Sequence, residues 1–266
     1  MSGTAVSRDG TQIAWSAEGD GPCLVVIDPV MVDRTLSPNS SLAGKLASGF
    51  TVIRYDRRGK GDSGGDLGRE LRGGLGREAM IDPQTEVEDL AAVIDAASPG
   101  VAPVVFGLSS GGSIGVLAAS EGVSMSALVV MEPPSSLDDV GEFIARCNSL
   151  VGEGRDSEAV RSFLAFQGMP EEVVGEMADY VDACAPYAWT IPVDLRVTEL
   201  LTPDALLRVG VPVLAVGSAA SPPQLQEFAE FVARHVPRSE VRLLDGDWHG
   251  IPDDVLAGAI AEFGIR

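Results

Sequence analysis

Residues 104–112 read V-V-F-G-L-S-S-G-G, and Ser109 within them has the G-x-S-x-G surroundings of an activated nucleophile. A hydroxyl attacks a carbonyl carbon only when a neighbouring base takes its proton, and histidine is the usual base near neutral pH. The chain has two histidines. His235 lies in R-H-V-P at the end of a predicted helix, where a cation complements the helix carbonyls. His249 lies in L-L-D-G-D-W-H-G, in a loop beyond a strand-like run, where the catalytic side chains of α/β sheets gather. Ser109 and His249 are therefore the expected nucleophile and base of an acyl-transfer reaction. The competing reading makes Ser109 a helix cap among packing glycines.

The elements around Ser109 favour the nucleophile. V-A-P-V-V-F-G at 101–107 reads as a strand, and S-G-G-S-I-G-V-L-A-A-S after Ser109 reads as a helix, with Gly107 and Gly111 permitting a sharp turn. Similar apolar runs occur at 23–28, 50–56, 126–132, 211–217 and 241–245, each the length of a strand buried on both faces. An N-terminal hairpin is expected from Thr4–Ser7 and Thr11–Ser16 around Arg8-Asp9-Gly10. Helices should separate the strands. Asp82-Pro83 starts one, with Val87, Leu90, Ala91 and Ile94 on one face. Ser221-Pro222-Pro223-Gln224 fits a capping box, with Ser221 as cap and Leu225, Phe228, Ala229 and Val232 following at helical spacing. A last helix is expected from about Pro252 to Phe263. Buried strands alternating with helices predict an α/β fold with a mostly parallel sheet covered on both faces.

Two regions break the alternation. Gly59–Gly76 carries eight glycines and many charges and reads as a long mobile loop. Residues 137–205 show helical patterns without a buried strand, as in Val140, Phe143, Ile144 and Cys147, then Val173, Val174, Met177 and Val181. These predict an inserted helical cap at 134–205, on a core formed by 1–133 and 206–266.

Composition excludes several classes. The 266 residues are 45% hydrophobic, enough for a sizeable core, with no apolar stretch long enough to span a bilayer. The start M-S-G-T-A-V-S-R-D-G lacks the pattern of a secretory leader, so a cytoplasmic protein is expected. A net charge of -20 repels phosphate backbones and anionic lipid, which argues against nucleic-acid or membrane partners. Cys23, Cys147 and Cys184 are odd in number and widely spaced, as reduced core residues are. No His, Cys and carboxylate cluster has metal-ligand spacing, and no G-x-G-x-x-G follows a strand, so neither metal nor dinucleotide cofactor is expected. The expected partner is a small-molecule substrate, and a homo-oligomer stays open.

Over nearly its whole length the chain resembles the α/β-hydrolase family. The resemblance is carried by Y-D-R-R-G-K-G-D-S at 55–63, similar to the family's D-x-R-G-x-G-x-S loop, by G-L-S-S-G at 107–111, and by the late His249. It implies the α/β-hydrolase fold with a helical cap and structural roles for Asp56 and Arg57. The family's acid usually follows the strand that here is V-P-V-L-A-V-G, yet the next residues are S-A-A-S-P-P-Q, with no carboxylate until Glu227. Some members carry the acid at the end of the preceding strand, and that position is Glu132. A carboxylate closing an apolar strand before two prolines is unlike an ordinary surface charge. Glu132 is thus the expected orienting acid, with Asp247 as the alternative.

Two backbone N–H groups should form the oxyanion hole. Ser110, after the nucleophile, supplies one. In the other loop the family commonly has His-Gly, whereas this chain reads Asp28-Pro29-Val30-Met31. Proline has no N–H, so Val30 is the candidate and Met31 the reserve. Asp28 would oppose a developing oxyanion unless turned away or protonated. Trp189, in Y-A-W-T-I-P, and Met31 are expected substrate-binding residues. The expected activity is cofactor-independent hydrolysis of an ester, thioester or lactone of a small hydrophobic substrate. Asp28-Pro29 keeps a lyase, perhydrolase or cyclase open, as well as a binding protein with little turnover.

Overall fold

The computed structural model describes residues 1–65, 82–135 and 140–265. Eight strands form one sheet in the order β1-β2-β4-β3-β5-β6-β7-β8. They are β1 (Ser2–Val6), β2 (Gln12–Glu18), β3 (Cys23–Ile27), β4 (Thr51–Tyr55), β5 (Val104–Leu108), β6 (Ala127–Met131), β7 (Val213–Ser218) and β8 (Ser239–Leu244). The hairpin β1–β2 and the β2–β4 pair are antiparallel, and every other pair is parallel. This is the α/β-hydrolase fold expected from the sequence.

Alternation along the strands sorts side chains onto two buried faces. Val25, Ile27, Val105, Leu128, Val130, Val213 and Ala215 enter one apolar cluster. Leu24, Val26, Phe106, Val129, Met131, Leu214 and Val216 enter the other. Helices α1 (Ser40–Leu46) and α11 (Asp253–Gly264) cover the second face. The first is covered by α2 (Gln84–Ala97), α3 (Ser110–Ser120), α9 (Pro203–Leu207) and α10 (Pro223–His235). α2 begins at Gln84 with Pro83 at its N-cap, one residue later than the expected start, and the Asp82 carboxylate just before it accepts the Gln84 N–H at 3.0 Å.

Between β6 and β7 the described residues form α4 (Val140–Gly152), α5 (Asp156–Phe166), α6 (Glu171–Glu176), α7 (Ala178–Cys184), a 3-10 turn at Ala185–Thr190, and α8 (Ile191–Leu200). They share a third apolar cluster that includes Val30, Met31 and Val32 from the loop after β3. The helical insertion is thereby packed directly on one wall of the candidate site. Of the glycine-rich stretch at 59–76, only Gly59–Gly65 lie among the described residues. All three cysteines are free.

Close approach of α3 to β5 and to β3 explains two glycines of the motif. A Cβ at Gly107 would collide with the Gly111 carbonyl, and one at Gly111 with the Ile27 carbonyl. Gly107→Ala should therefore lose at least about 1–3 kcal/mol in urea unfolding. Gly258→Ala, on an open helical position of α11, should instead gain roughly 0.5–1 kcal/mol.

Candidate active site

Ser109 follows β5 at the carboxyl edge of the sheet, in a turn with φ 52° and ψ -126°. Positive φ is costly for any residue with a Cβ, and packing has to enforce it. The Ser109 N–H donates to the Met131 carbonyl at 2.9 Å, while the Gly112 and Ser113 N–H groups bond the Ser109 carbonyl. The turn ties Ser109 to the neighbouring strand β6.

Glu132 sits one residue beyond β6, at φ 44°, and its N–H donates to the Val216 carbonyl at 2.9 Å. Its carboxylate is fully buried. Oε1 accepts the Ser218 N–H at 2.8 Å, and Oε2 lies 2.5 Å from His249 Nδ1. Burial pushes the carboxyl pKa up, but His249, the Ser218 N–H and the Ser221 hydroxyl outweigh it and hold Glu132 below the usual range. The structure brings Glu132 to His249, whereas the Asp247 residue is exposed and its carbonyl accepts the Ser218 hydroxyl at 2.6 Å.

His249 stands at φ 49° in the loop after β8. Its N–H donates to Ser221 Oγ at 3.0 Å. This corrects the expected capping box: α10 begins at Pro223 with no side-chain cap, and Ser221 holds the histidine loop instead. Ser218, at the end of β7, donates its N–H to Glu132 at 2.8 Å and its hydroxyl to the Asp247 carbonyl in the histidine loop at 2.6 Å. Sequence reasoning missed both serines, because bonds to partners 28 or more residues away leave no local pattern. His235 ends α10 with Nδ1 against the Phe231 carbonyl, away from these groups.

Among the described residues, two clefts include Ser109. One is lined by His249, Val30, Met31, Tyr180 and Trp248, among others. The second is lined by Ser110, Pro134, Phe163, Asp194, Leu195 and Phe228, and does not include His249. Ser109 and His249 share the first cleft without a direct hydrogen bond, a looseness usual before substrate closes such a site. Among the described residues, neither the Val30 nor the Ser110 N–H donates to the protein, so both remain free for a ligand oxygen.

Asp28 is turned away from both clefts. Its Oδ1 accepts from Ser37 Oγ at 2.5 Å and Asn39 Nδ2 at 2.8 Å, and Oδ2 lies 3.6 Å from Arg54. Burial raises its pKa despite these partners.

The family model described as alpha/beta hydrolase family matches residues 34–259. A crystal structure of an alpha/beta hydrolase from Sphaerobacter thermophilus is 33% identical, over 98% of this chain and 99% of that chain, with a TM-score of 0.85. The chain belongs to the alpha/beta hydrolase family. An esterase from Rhodococcus sp. shares the fold at 21% identity, over 100% and 98% of the two chains, with a TM-score of 0.69. So does an enol-lactonase from Burkholderia xenovorans at 14%, over 99% and 100%, with a TM-score of 0.71. No curated protein matches the chain.

In this alpha/beta hydrolase Trp189 departs from the expected role. It lies in the 3-10 turn, buried, with its ring against Gly59, and lines neither cleft at Ser109. Met31 does line one, at φ 61°. Asp56 is structural, accepting from the Arg34 N–H and side chain and from the Asp62 N–H. Arg57, fully buried, pairs with Glu86 through Nε at 3.0 Å and Nη2 at 2.7 Å. It also grips Asp194 of α8 through Nη1 at 2.9 Å and through Nη2.

Among the described residues the groups His, Cys, Asp and Glu form no cluster that could hold a metal, and no helix is long and apolar enough to cross a membrane. Lys60 is 1% exposed and its ammonium has no hydrogen-bond partner. Burial, then the nearby Arg57 charge, pushes its pKa from 10.5 down to about 8. The unfolded chain therefore binds more protons between about pH 8 and 10.5, and stability rises with pH across that window. Lys60→Met should raise stability at pH 7 by roughly 3 kcal/mol in urea unfolding. That advantage should shrink as the pH approaches 10.5.

Proposed function

We propose that this alpha/beta hydrolase is a cofactor-independent serine hydrolase acting on the ester, thioester or lactone of a small hydrophobic substrate. The observation that carries the reading is the 2.5 Å contact of His249 Nδ1 with buried Glu132, beside Ser109 in its left-handed turn. Glu132 fixes the imidazole with Nδ1 protonated, which leaves Nε2 as the base. Ser109 Oγ attacks the carbonyl carbon while Nε2 takes its proton. The oxyanion is met by the N–H groups of Ser110 and Val30. Collapse breaks the bond to the leaving group, which takes the proton from Nε2, and the acyl group stays on Ser109. Water then attacks the acyl-enzyme, passing a proton to His249, and Ser109 leaves with it.

The placement of Asp28 supports hydrolysis, since Oδ1 is taken by Ser37 and Asn39, Oδ2 lies buried 3.6 Å from Arg54 without a hydrogen bond, and the residue lines neither cleft at Ser109. The helical insertion, taken as a cap over 134–205 on a core of 1–133 and 206–266, supplies apolar walls such as Phe163 and Met177. These walls favour an uncharged substrate. The same fold in structures named esterase and enol-lactonase accords with an ester or lactone carbonyl.

A fluorophosphonate probe should label Ser109, located by mass spectrometry, and His249→Ala should abolish labelling. Absence of an adduct on Ser109 would overturn the proposal. Glu132→Gln should lower kcat on p-nitrophenyl esters roughly 10²–10⁴-fold, with Asp247→Asn staying near wild type. A larger loss from Asp247→Asn would transfer the acid role to that residue.

A further inference from the structure

The two clefts at Ser109 differ in a way that assigns the halves of the substrate. The leaving group must receive a proton from His249, so it lies in the cleft that contains the imidazole. The acyl group then occupies the other cleft, whose floor is Ser110 and Asp194.

The polar atoms of that floor have their hydrogens committed. Ser110 Oγ donates its hydrogen to Asp194 Oδ2 at 3.0 Å. Thr198 Oγ1, one turn along α8 from Asp194, donates to the Leu195 carbonyl at 2.6 Å. Asp194 is an acceptor only while ionised; burial opposes the charge, but Arg57 outweighs burial and holds the pKa below the usual range. What remains facing the cleft from Ser110, Asp194 and Thr198 is lone pairs. Arg57 and Lys60 are fully buried and line neither cleft. The other walls are the apolar side chains of Phe163, Leu195 and Phe228 and the neutral amides of Gln167 and Gln224, each of which offers a donor and an acceptor alike, so the one-sided element of the lining is the Ser110–Asp194 floor.

We propose that the Ser110–Asp194 floor makes the acyl side of the site select an apolar acyl group bearing a hydrogen-bond donor, a hydroxyl or amine, and reject one bearing a carboxylate. This rests on the acyl-transfer reading above. Asp194 is then a specificity-determining residue contributed by the helical insertion. A donor on the acyl group gains an acceptor already oriented, whereas an acyl carboxylate meets lone pairs with no hydrogen between, because the Arg57 guanidinium that balances Asp194 is buried behind it and lines neither cleft.

The test compares p-nitrophenyl phenylacetates whose ring carries a methyl, hydroxymethyl or carboxylate group at the meta or para position. A matched set of phenyl acetates carries the same groups on the alcohol half and controls for the general repulsion of a chain with net charge -20. In 0.15 M salt, kcat/KM for the hydroxymethyl acyl ester should exceed that of the methyl ester, and an equal or lower value would overturn the donor selection. The acyl-side carboxylate should lower kcat/KM about tenfold or more, and at least about fivefold more than the alcohol-side carboxylate does. Asp194→Asn should relax the acyl-side penalty without relaxing the alcohol-side one. If that variant does not fold, the wild-type comparison decides alone. Equal penalties on the two halves, or a preferred acyl carboxylate, would overturn the assignment while leaving hydrolysis standing. No turnover in either set would overturn the hydrolase reading and the assignment with it.

Discussion

The site depends on one contact, between a carboxylate with no exposed surface and an imidazole 2.5 Å away. An ionised carboxylate without partners at that depth would cost several kcal/mol. Glu132 is kept as an anion by three donors from three places: the end of β7 at Ser218, the turn at Ser221, and the loop after β8 at His249. Satisfying one carboxylate therefore dictates how the ends of β6, β7 and β8 close over the sheet. Ser221 serves twice, because its oxygen also receives the His249 N–H.

The backbone bears a second constraint at the same place. Among the described residues, the non-glycine positions with positive φ are Met31, Ser109, Glu132 and His249, and three of them line the clefts at Ser109 while the fourth bonds His249. Each such conformation costs about 1–3 kcal/mol and persists only where its surroundings over-determine it. Here strand-end hydrogen bonds hold Ser109 and Glu132, and Ser221 holds His249. Strain is thus concentrated where side chains must leave the sheet edge at angles that ordinary strand or helix geometry does not provide.

The fold was legible because buried parallel strands announce themselves as short apolar runs, and each run from 23–28 to 241–245 overlaps an observed strand. Ser109 and His249 were singled out from local context, and Glu132 from the family resemblance once no carboxylate followed the β7 run; the structure brings Glu132 to His249 and puts His249 in one cleft with Ser109. Ser221 was misread because Ser-Pro-Pro-Gln satisfies a local capping pattern, while the hydroxyl is taken by a partner far along the chain. Trp189 was misread because Y-A-W-T-I-P resembles a loop, whereas the chain coils into a 3-10 turn that buries the ring. Asp194 gave no signal at all. It sits in a helical pattern, 137 residues from its partner Arg57.

That long-range pair raises the question of why charges, and not apolar side chains, join the insertion to the core. A buried ion pair is often no more stable than well-packed hydrocarbon, so stability alone is a weak reason for it. Its geometric consequence is stronger. Arg57 and Lys60 balance Glu86 and Asp194, and sliding α8 by one turn would leave Arg57 and Glu86 without Asp194 and separate Asp194 from Ser110. Breaking such a pair costs about 3–5 kcal/mol, whereas an apolar seam could slip and repack for less. The ion pairs therefore set the register of α8 on the sheet, and with it the placement of Asp194 beside the residue that follows Ser109.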